Sequence, residues 1–282
     1  MSVQYQYLSY KRLHGLNPGK FSDRVKLQLF LRDLLPQMRE EGLPFTSGGL
    51  VRNYMTGFAL GFAYYDCRAT RFCSSRCYGL PLGGVFDFNM LRLSVATSEL
   101  LRTHDRSFVR GVINQIRAKR LDTLKIGHWG DATLEQLPAV ADIASAVPAT
   151  TFWWYTRKLD IAAAANQLAL PNLRAYLSLD PDTDYPGRDL YPYGITYLYG
   201  DNLYHERHDE IVRDERLVAI FTLKKGTAVE DPERMGLGNH PRICLEKRWK
   251  ARTHSKGELM CLSCRGRCNY QATAMPSGCF QT

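Results

Sequence analysis

The sequence Thr56-Gly-Phe-Ala-Leu-Gly-Phe-Ala63 leads, three residues later, into Cys67-Arg-Ala-Thr-Arg-Phe-Cys73-Ser-Ser-Arg-Cys77. The first segment is an apolar run typical of a buried strand. The second places three of the eight cysteines on the loop after that strand, spaced C-x5-C-x3-C. Three thiols can hold a metal centre and leave one position of it open, whereas four protein ligands usually close a structural site. The alternative is three unrelated buried cysteines, but the polar and basic flanks favour a metal.

Beyond this loop, strand-like and helix-like segments alternate. Further predicted strands cover residues 124–127, 151–155, 173–177, 195–199 and 217–223, and predicted helices cover residues 86–101, 105–120, 134–147 and 159–168. Strands separated by segments of helix length indicate βαβ units and a parallel sheet. We therefore expect an α/β fold, namely a full or partial (β/α) barrel of TIM type, with an open doubly wound sheet as the alternative.

The chain divides into three predicted parts. Residues 1–50 form an N-terminal helical extension, residues 51–235 the barrel-like core, and residues 236–282 a basic, cysteine-rich segment. In the extension, Ser22-Asp23 is the expected N-cap of a helix that runs to Met38 and ends at Gly42-Leu-Pro44.

Composition and charge limit the class of protein. The chain has 282 residues and a formal net charge of +9; its last 43 residues hold eight Lys or Arg and only two Glu. The start lacks the basic and apolar regions of a signal peptide, and no apolar run approaches the roughly 20 residues that cross a bilayer. We expect a cytoplasmic protein without a membrane partner, in which clustered cysteines indicate metal rather than disulfides. The basic segment could attract nucleic acid or offset thiolate charge, and both interpretations remain open.

Polar residues recur where the predicted strands end, which is the working face of a parallel sheet. The candidates are His128, Gly130, Asp131, Arg157, Ser178 and Asp180. Asp131 also precedes a predicted helix, so it could instead be a helix cap. A tyrosine-rich run, with Tyr176 just upstream, could stack bases, although aromatic strands more often form core.

A second cysteine cluster lies in the basic segment. Its members are Cys244, Cys261, Cys264 and Cys268, spaced C-x16-C-x2-C-x3-C. Four thiolates close a coordination shell, which predicts a structural zinc site or an iron–sulfur cluster. Cys279 has no assigned role.

These motifs, in this order, resemble the phage gene product 88 proteins over residues from about 56 to 270. The resemblance rests on four features: the cysteine loop with Cys77-Tyr78, the strand end Ile126-Gly-His-Trp-Gly-Asp131, the segment Phe152-Trp-Trp-Tyr-Thr-Arg157 and the trailing cysteines. That family is in turn similar to radical S-adenosylmethionine enzymes, whose partial barrel carries three cluster-binding cysteines after its first strand. Their usual spacing is C-x3-C-x2-C with an aromatic residue before the last cysteine; here Arg76 precedes Cys77.

The resemblance implies a 4Fe–4S cluster on Cys67, Cys73 and Cys77, whose open iron binds S-adenosylmethionine. Gly130, Asp131 and Ser178 would contact that cofactor, and the residues expected to position cofactor or substrate are His128, Asp131, Arg157 and Asp180. A second 4Fe–4S cluster or zinc would occupy the C-terminal cysteines. An electron donor such as ferredoxin or flavodoxin would be a partner, and a nucleotide or nucleic acid a possible substrate.

Two other functions remain open from the sequence. One is a zinc-containing barrel enzyme that modifies or exchanges a base in nucleic acid, with Asp131 or Asp180 as nucleophile or base. The other is a non-catalytic, metal-dependent nucleic-acid-binding protein, whose binding would weaken steeply with salt.

Overall fold

The computed structural model describes residues 1–42, 49–53, 57–75, 77, 85–200 and 203–222. The helices in this part of the chain are α1 Val3–Leu13, α2 Phe21–Asp33, α3 Leu35–Glu40, α4 Arg71–Ser75, α5 Val85–Arg102, α6 Arg106–Ala118, α7 Leu137–Ala146, α8 Leu159–Gln167 and α9 His208–Arg213. The strands are β1 Leu50–Asn53, β2 Gly57–Leu60, β3 Thr123–Ile126, β4 Thr151–Thr156, β5 Leu173–Leu179, β6 Ile195–Tyr199 and β7 Leu217–Thr222. The predicted α/β class is confirmed.

The seven strands form one sheet in which they lie in chain order. β2 to β7 are parallel, and β1 pairs antiparallel with β2 at one edge, with Leu50 opposite Leu60. Because the strand order never reverses, successive right-handed crossovers place their helices on the same face of the sheet. The doubly wound alternative is therefore wrong, since that fold requires a reversal of strand order.

Packing on the helix-covered face follows the alternation of side chains along the strands. Leu60, Ile126 and Trp154 pack against α5 to α8 in the largest apolar cluster. Tyr197 on β6 packs with Ile211 of α9 in a second cluster on the same face. β2, β3, β4 and β6 therefore each carry core residues on the side that the helices cover.

The sheet is open, so the expectation of a full barrel is wrong. Closure requires the two edge strands to pair with each other. Here β1 occupies the free edge of β2, and β7 lies at the opposite edge of the sheet. The short antiparallel strand thus takes the place that a closing strand would need.

The face opposite the helices is concave. The rings of Tyr155 on β4 and Phe221 on β7 have centroids 5.3 Å apart. In a flat sheet these strands would be roughly 14 Å apart, since neighbouring strands are separated by about 4.8 Å. The two rings meet because the sheet curls around this face, which we call the concave face.

The N-terminal helices pack against the core as an added layer. Val3 of α1 and Leu27 of α2 share a buried cluster with Ala59 of β2. The single helix predicted over residues 22–38 is two helices, because Pro36 lacks the N–H that would continue α2. The predicted cap is also wrong: α2 begins at Phe21, and the Asp23 carboxylate accepts a hydrogen bond from Asn17 N at 3.0 Å.

No helix in the described part of the chain combines the length and the apolar character that crossing a bilayer requires.

Candidate functional site

The loop after β2 carries the three cysteines predicted as ligands. The chain forms a 3₁₀ turn at Tyr64–Asp66, reaches Cys67 and then forms α4, which contains Cys73. The residues Cys67, Cys73 and Cys77 are each partly exposed. Because β2 is the first of the parallel strands, its carboxyl end lies at the sheet edge where the sites of parallel sheets form.

The three thiols lie within electrostatic range of one another. Burial raises the pKa of the Cys67 thiol well above its usual value, and the negative charges of Asp131, Cys73 and Cys77 raise it further. Burial also raises the pKa of Cys73, to about 11, while the Arg157 guanidinium acts to lower it. Thiolates at these positions therefore require added positive charge, which a bound metal centre supplies.

Lys158 ties the cysteine loop to the next strand ends. Its buried ammonium donates hydrogen bonds to the carbonyl oxygens of Asp66 and Ala132, each at 2.5 Å. Asp66 directly precedes Cys67, so the ammonium also acts to lower the pKa of that thiol. One cation thus joins two loops and faces the first cysteine.

The Asp66 side chain fixes the turn just before the first cysteine. Its carboxylate pairs with Arg102 of α5 and accepts a hydrogen bond from Gln136 Nε2 at 3.0 Å. Arg102 also pairs with Glu99 and Glu135. The start of the cysteine loop is therefore held by charged groups from α5 and from the turn before α7.

Asp180 connects the same loop to the end of β5. Its Oδ2 accepts hydrogen bonds from Thr70 Oγ1 and from Arg157 Nε, both at 2.7 Å, and the residue is completely buried. Two residues along, Asp182 Oδ2 accepts a hydrogen bond from Phe72 N at 2.6 Å. The two carboxylates hold the loop and α4 against the sheet edge.

Gly130 lets the segment after β3 lie against the segment after β2. Phe62 N donates to the Trp129 carbonyl at 2.8 Å. The φ angle of Gly130 is +68°, and a Cβ on it would lie 2.1 Å from Phe62 O and 2.9 Å from Ala63 O. No side chain fits this position without moving backbone, so the role of Gly130 is a close approach of two loops.

Asp131 is buried beside this contact and is held by the strand that follows. Its Oδ1 accepts a hydrogen bond from Trp154 Nε1 at 3.2 Å, and its Oδ2 accepts one from Thr156 Oγ1 at 2.6 Å. Burial raises the pKa of the carboxyl group, while Lys158 acts to lower it. The helix-cap alternative is wrong, because the N-cap of the 3₁₀ turn that follows, Leu134–Gln136, is Thr133 and not Asp131.

Comparison with family models places residues 37–270 in one family, described as gene product 88. The chain belongs to the gene product 88 family. This confirms the resemblance to the phage proteins named from the motifs above. Neither the curated proteins nor the solved structures give a significant match.

Two further predicted residues lie close to this edge in the gene product 88 chain. The His128 ring packs on Trp129 with centroids 4.1 Å apart, and burial, aided by the charge of Lys125, lowers its pKa to about 3. His128 is therefore a neutral imidazole at neutral pH. Ser178 is buried and lies opposite Thr196 of the neighbouring strand β6.

The described residues contain no group of three or more His, Cys, Asp or Glu side chains arranged to hold a single metal ion. In an iron–sulfur cluster the thiolates bind different irons, so they surround the cluster rather than converge on one ion. Three thiols on one loop, coupled electrostatically, are compatible with that wider donor set.

The second cysteine cluster lies outside the described residues. Its members, with the unassigned fifth thiol, are Cys244, Cys261, Cys264, Cys268 and Cys279. The metal site predicted for them stays a prediction.

Of the residues that hold the loop in place, sequence reasoning found only Lys158, which directly follows Arg157 at the end of a predicted strand. It missed Asp66, Thr70, Arg102 and Asp182. The other partners are distant in sequence from the groups they bind, and nothing in their local pattern shows this.

Proposed function

We propose that this gene product 88 protein is an iron–sulfur enzyme of radical S-adenosylmethionine type. Cys67, Cys73 and Cys77 would hold a 4Fe–4S cluster and leave one iron without a protein ligand. The observation that carries the proposal is the placement of three electrostatically coupled thiols on the loop after the first parallel strand. A bound cluster of this kind supplies one electron to the sulfonium of S-adenosylmethionine, which breaks a carbon–sulfur bond.

The sheet supports the proposal. Parallel strands in chain order, curled around a concave face but left open, correspond to a partial (β/α) barrel. In such folds the chemistry takes place at the carboxyl ends of the strands. The cysteine loop, Asp131, Arg157 and Asp180 all lie at that edge.

Charge at the site also supports a thiolate-bound cluster. Lys158 and Arg157 act to lower the pKa values of Cys67 and Cys73, respectively. Net charge and hydrogen bonds around the sulfurs set the potential of such clusters. These two cations would offset part of the negative charge of three thiolates.

Asp131 is the residue that we propose to bind the amino group of the cofactor. A carboxylate has about four acceptor sites. In Asp131 three are used by Trp154 Nε1, Thr156 Oγ1 and the backbone N–H of Ala132. One further donor can be accepted, and these bonds hold the carboxylate in a fixed orientation towards the cysteine loop.

The proposal also assigns roles to the C-terminal segment, which lies outside the described residues, and to partners of the protein. The C-terminal cysteines would hold an auxiliary 4Fe–4S cluster or zinc. A ferredoxin or flavodoxin would donate the electron. The excess of Lys and Arg in the last 43 residues favours a nucleotide or nucleic-acid substrate.

The activity is tested by reductive cleavage of S-adenosylmethionine. We expect the anaerobically reconstituted, dithionite-reduced protein to form 5′-deoxyadenosine and methionine, measured by liquid chromatography. Cys67→Ala should lower this rate at least about 100-fold, because it removes a cluster ligand. Cys279→Ala is the matched control and should retain the rate.

Two outcomes would contradict the proposal. One is iron-loaded protein that cleaves no cofactor. The other is colourless protein that contains zinc and no iron, which would favour the base-exchange enzyme instead.

A further inference from the structure

The concave face carries a group of aromatic rings at its centre. The centroid of the Tyr155 ring lies 5.3 Å from that of Trp153, 5.8 Å from that of Tyr176 and 5.3 Å from that of Phe221. These side chains come from β4, β5 and β7, and they point away from the helix-covered core. Tyr155 and Phe221 remain partly exposed, so the surface they form is open in part.

Thr196 places a buried hydroxyl on the same face. Ile195 and Tyr197 pack into the helix-side cluster, so Thr196 between them lies on the opposite side of β6. It is completely buried, and none of the described residues forms a hydrogen bond with its Oγ1. Its cross-strand neighbours are Ser178 and Ala219. Buried hydroxyls nearly always have a partner, so an unpaired one calls for an explanation, and a bound ligand would supply the missing partner.

Lys125 supplies a positive charge on this face. Its Nζ lies 5.4 Å from the centroid of the Trp153 ring. It lies on β3 in register with Trp153 of β4, so it borders the aromatic rings. A lysine beside a group of aromatic rings attracts a ligand that is both planar and anionic.

We propose that the concave face binds a nucleotide. The base stacks on the rings around Tyr155, its polar edge hydrogen-bonds with Thr196 Oγ1, and its phosphate lies towards Lys125. Aromatic rings bind the faces of all bases, while the threonine hydroxyl and the lysine distinguish a nucleotide from an uncharged apolar ligand. The inference deepens the proposed function by choosing a nucleotide over a nucleic acid and by placing it on the concave face. That this nucleotide is a substrate rests on the proposed function, whereas its binding needs no cluster.

The test is equilibrium dialysis of the full-length protein, purified without iron, against labelled AMP, GMP, CMP and UMP. Quenching of tryptophan fluorescence gives a second measurement. We expect saturable binding of at least one of these nucleotides. Thr196→Val should weaken it about tenfold without lowering the thermal midpoint, because it removes only an unpaired hydroxyl. Lys125→Met should weaken it by a similar factor, and Lys20→Met, which removes an exposed lysine elsewhere, should not.

S-adenosylmethionine contains an adenosine, so competition separates cofactor from substrate. For this measurement the protein is anaerobically reconstituted with iron and sulfide, since the proposed cofactor site requires the cluster. We expect the bound nucleotide to stay when S-adenosylmethionine is added. Absence of saturable binding, wild-type affinity in Thr196→Val, or displacement by S-adenosylmethionine would each overturn the inference. If the protein binds a nucleotide but cannot be loaded with iron, only the proposed enzyme activity is contradicted. If it loads iron and cleaves the cofactor but binds no nucleotide, only this inference is contradicted.

Discussion

Gly130→Ala should destabilise the protein by at least about 3 kcal/mol. The added Cβ would lie 2.1 Å from the carbonyl oxygen of Phe62, so the backbone after β2 or after β3 has to move. The φ angle of +68° adds a penalty of roughly 1–2 kcal/mol for a residue with a side chain. Differential scanning calorimetry should show a thermal midpoint lowered by roughly 5–10 °C.

Two glycines serve as matched controls. Gly127 also has a positive φ, +76°, but the nearest atoms to an added Cβ are 3.7 Å away, so Gly127→Ala isolates the backbone penalty. At Gly187 nothing lies within 4 Å of an added Cβ and φ is not positive, so Gly187→Ala should change stability by less than about 0.5 kcal/mol. If Gly130→Ala were no more damaging than Gly127→Ala, the close approach of the two loops would be refuted.

Asp180→Asn should destabilise the protein by about 3–5 kcal/mol and lower its iron content. The substitution removes the charge that pairs with Arg157 at 2.7 Å, and it weakens the bond that holds Thr70 of the cysteine loop. Because Asp180 is completely buried, water cannot replace either contact. Urea unfolding and iron analysis of the reconstituted variant measure the two effects.

Asp184→Asn is the control, since it alters an exposed carboxylate four residues along the same chain segment. The experiment also decides between two roles for Asp180. The contacts favour a residue that positions the cysteine loop. A stable, iron-loaded Asp180→Asn protein that has lost its activity would instead make Asp180 a catalytic group.

The sequence predicted the parallel strands well because each is an apolar run bounded by polar residues. The predicted strand over residues 195–199 coincides with β6, and that over residues 151–155 falls one residue short of β4. The helix α1 was missed because its buried residues, such as Val3 and Tyr7, are too few to form a clear apolar stripe. The strand β1 was missed because four residues carry little periodic signal.

Whether the sheet closes could not be predicted from a count of strands. Closure depends on which strand occupies the free edge of β2, and that strand is the overlooked β1. The doubly wound alternative stayed open for the same kind of reason, because spatial strand order is a property of long-range pairing and not of local pattern.

The site was predictable in its position but not in its connections. Asp131, Arg157 and Asp180 were placed at strand ends because apolar runs stop there. The partner of Asp180 on the cysteine loop, Thr70, is 110 residues away in the sequence. Trp154 packs in the core, and its Nε1 also donates a hydrogen bond to Asp131. Such contacts arise only once the strands are side by side.

The central claim is that the loop between Cys67 and Cys77 holds a 4Fe–4S cluster. Its most direct test is the iron and acid-labile sulfide content of the anaerobically reconstituted wild type and of the triple variant Cys67→Ala, Cys73→Ala, Cys77→Ala. The comparison is independent of any metal at the C-terminal cysteines, since these are the same in both proteins. Our account predicts that the triple variant holds about four fewer irons and four fewer sulfides per chain. Equal iron in the two proteins would contradict it.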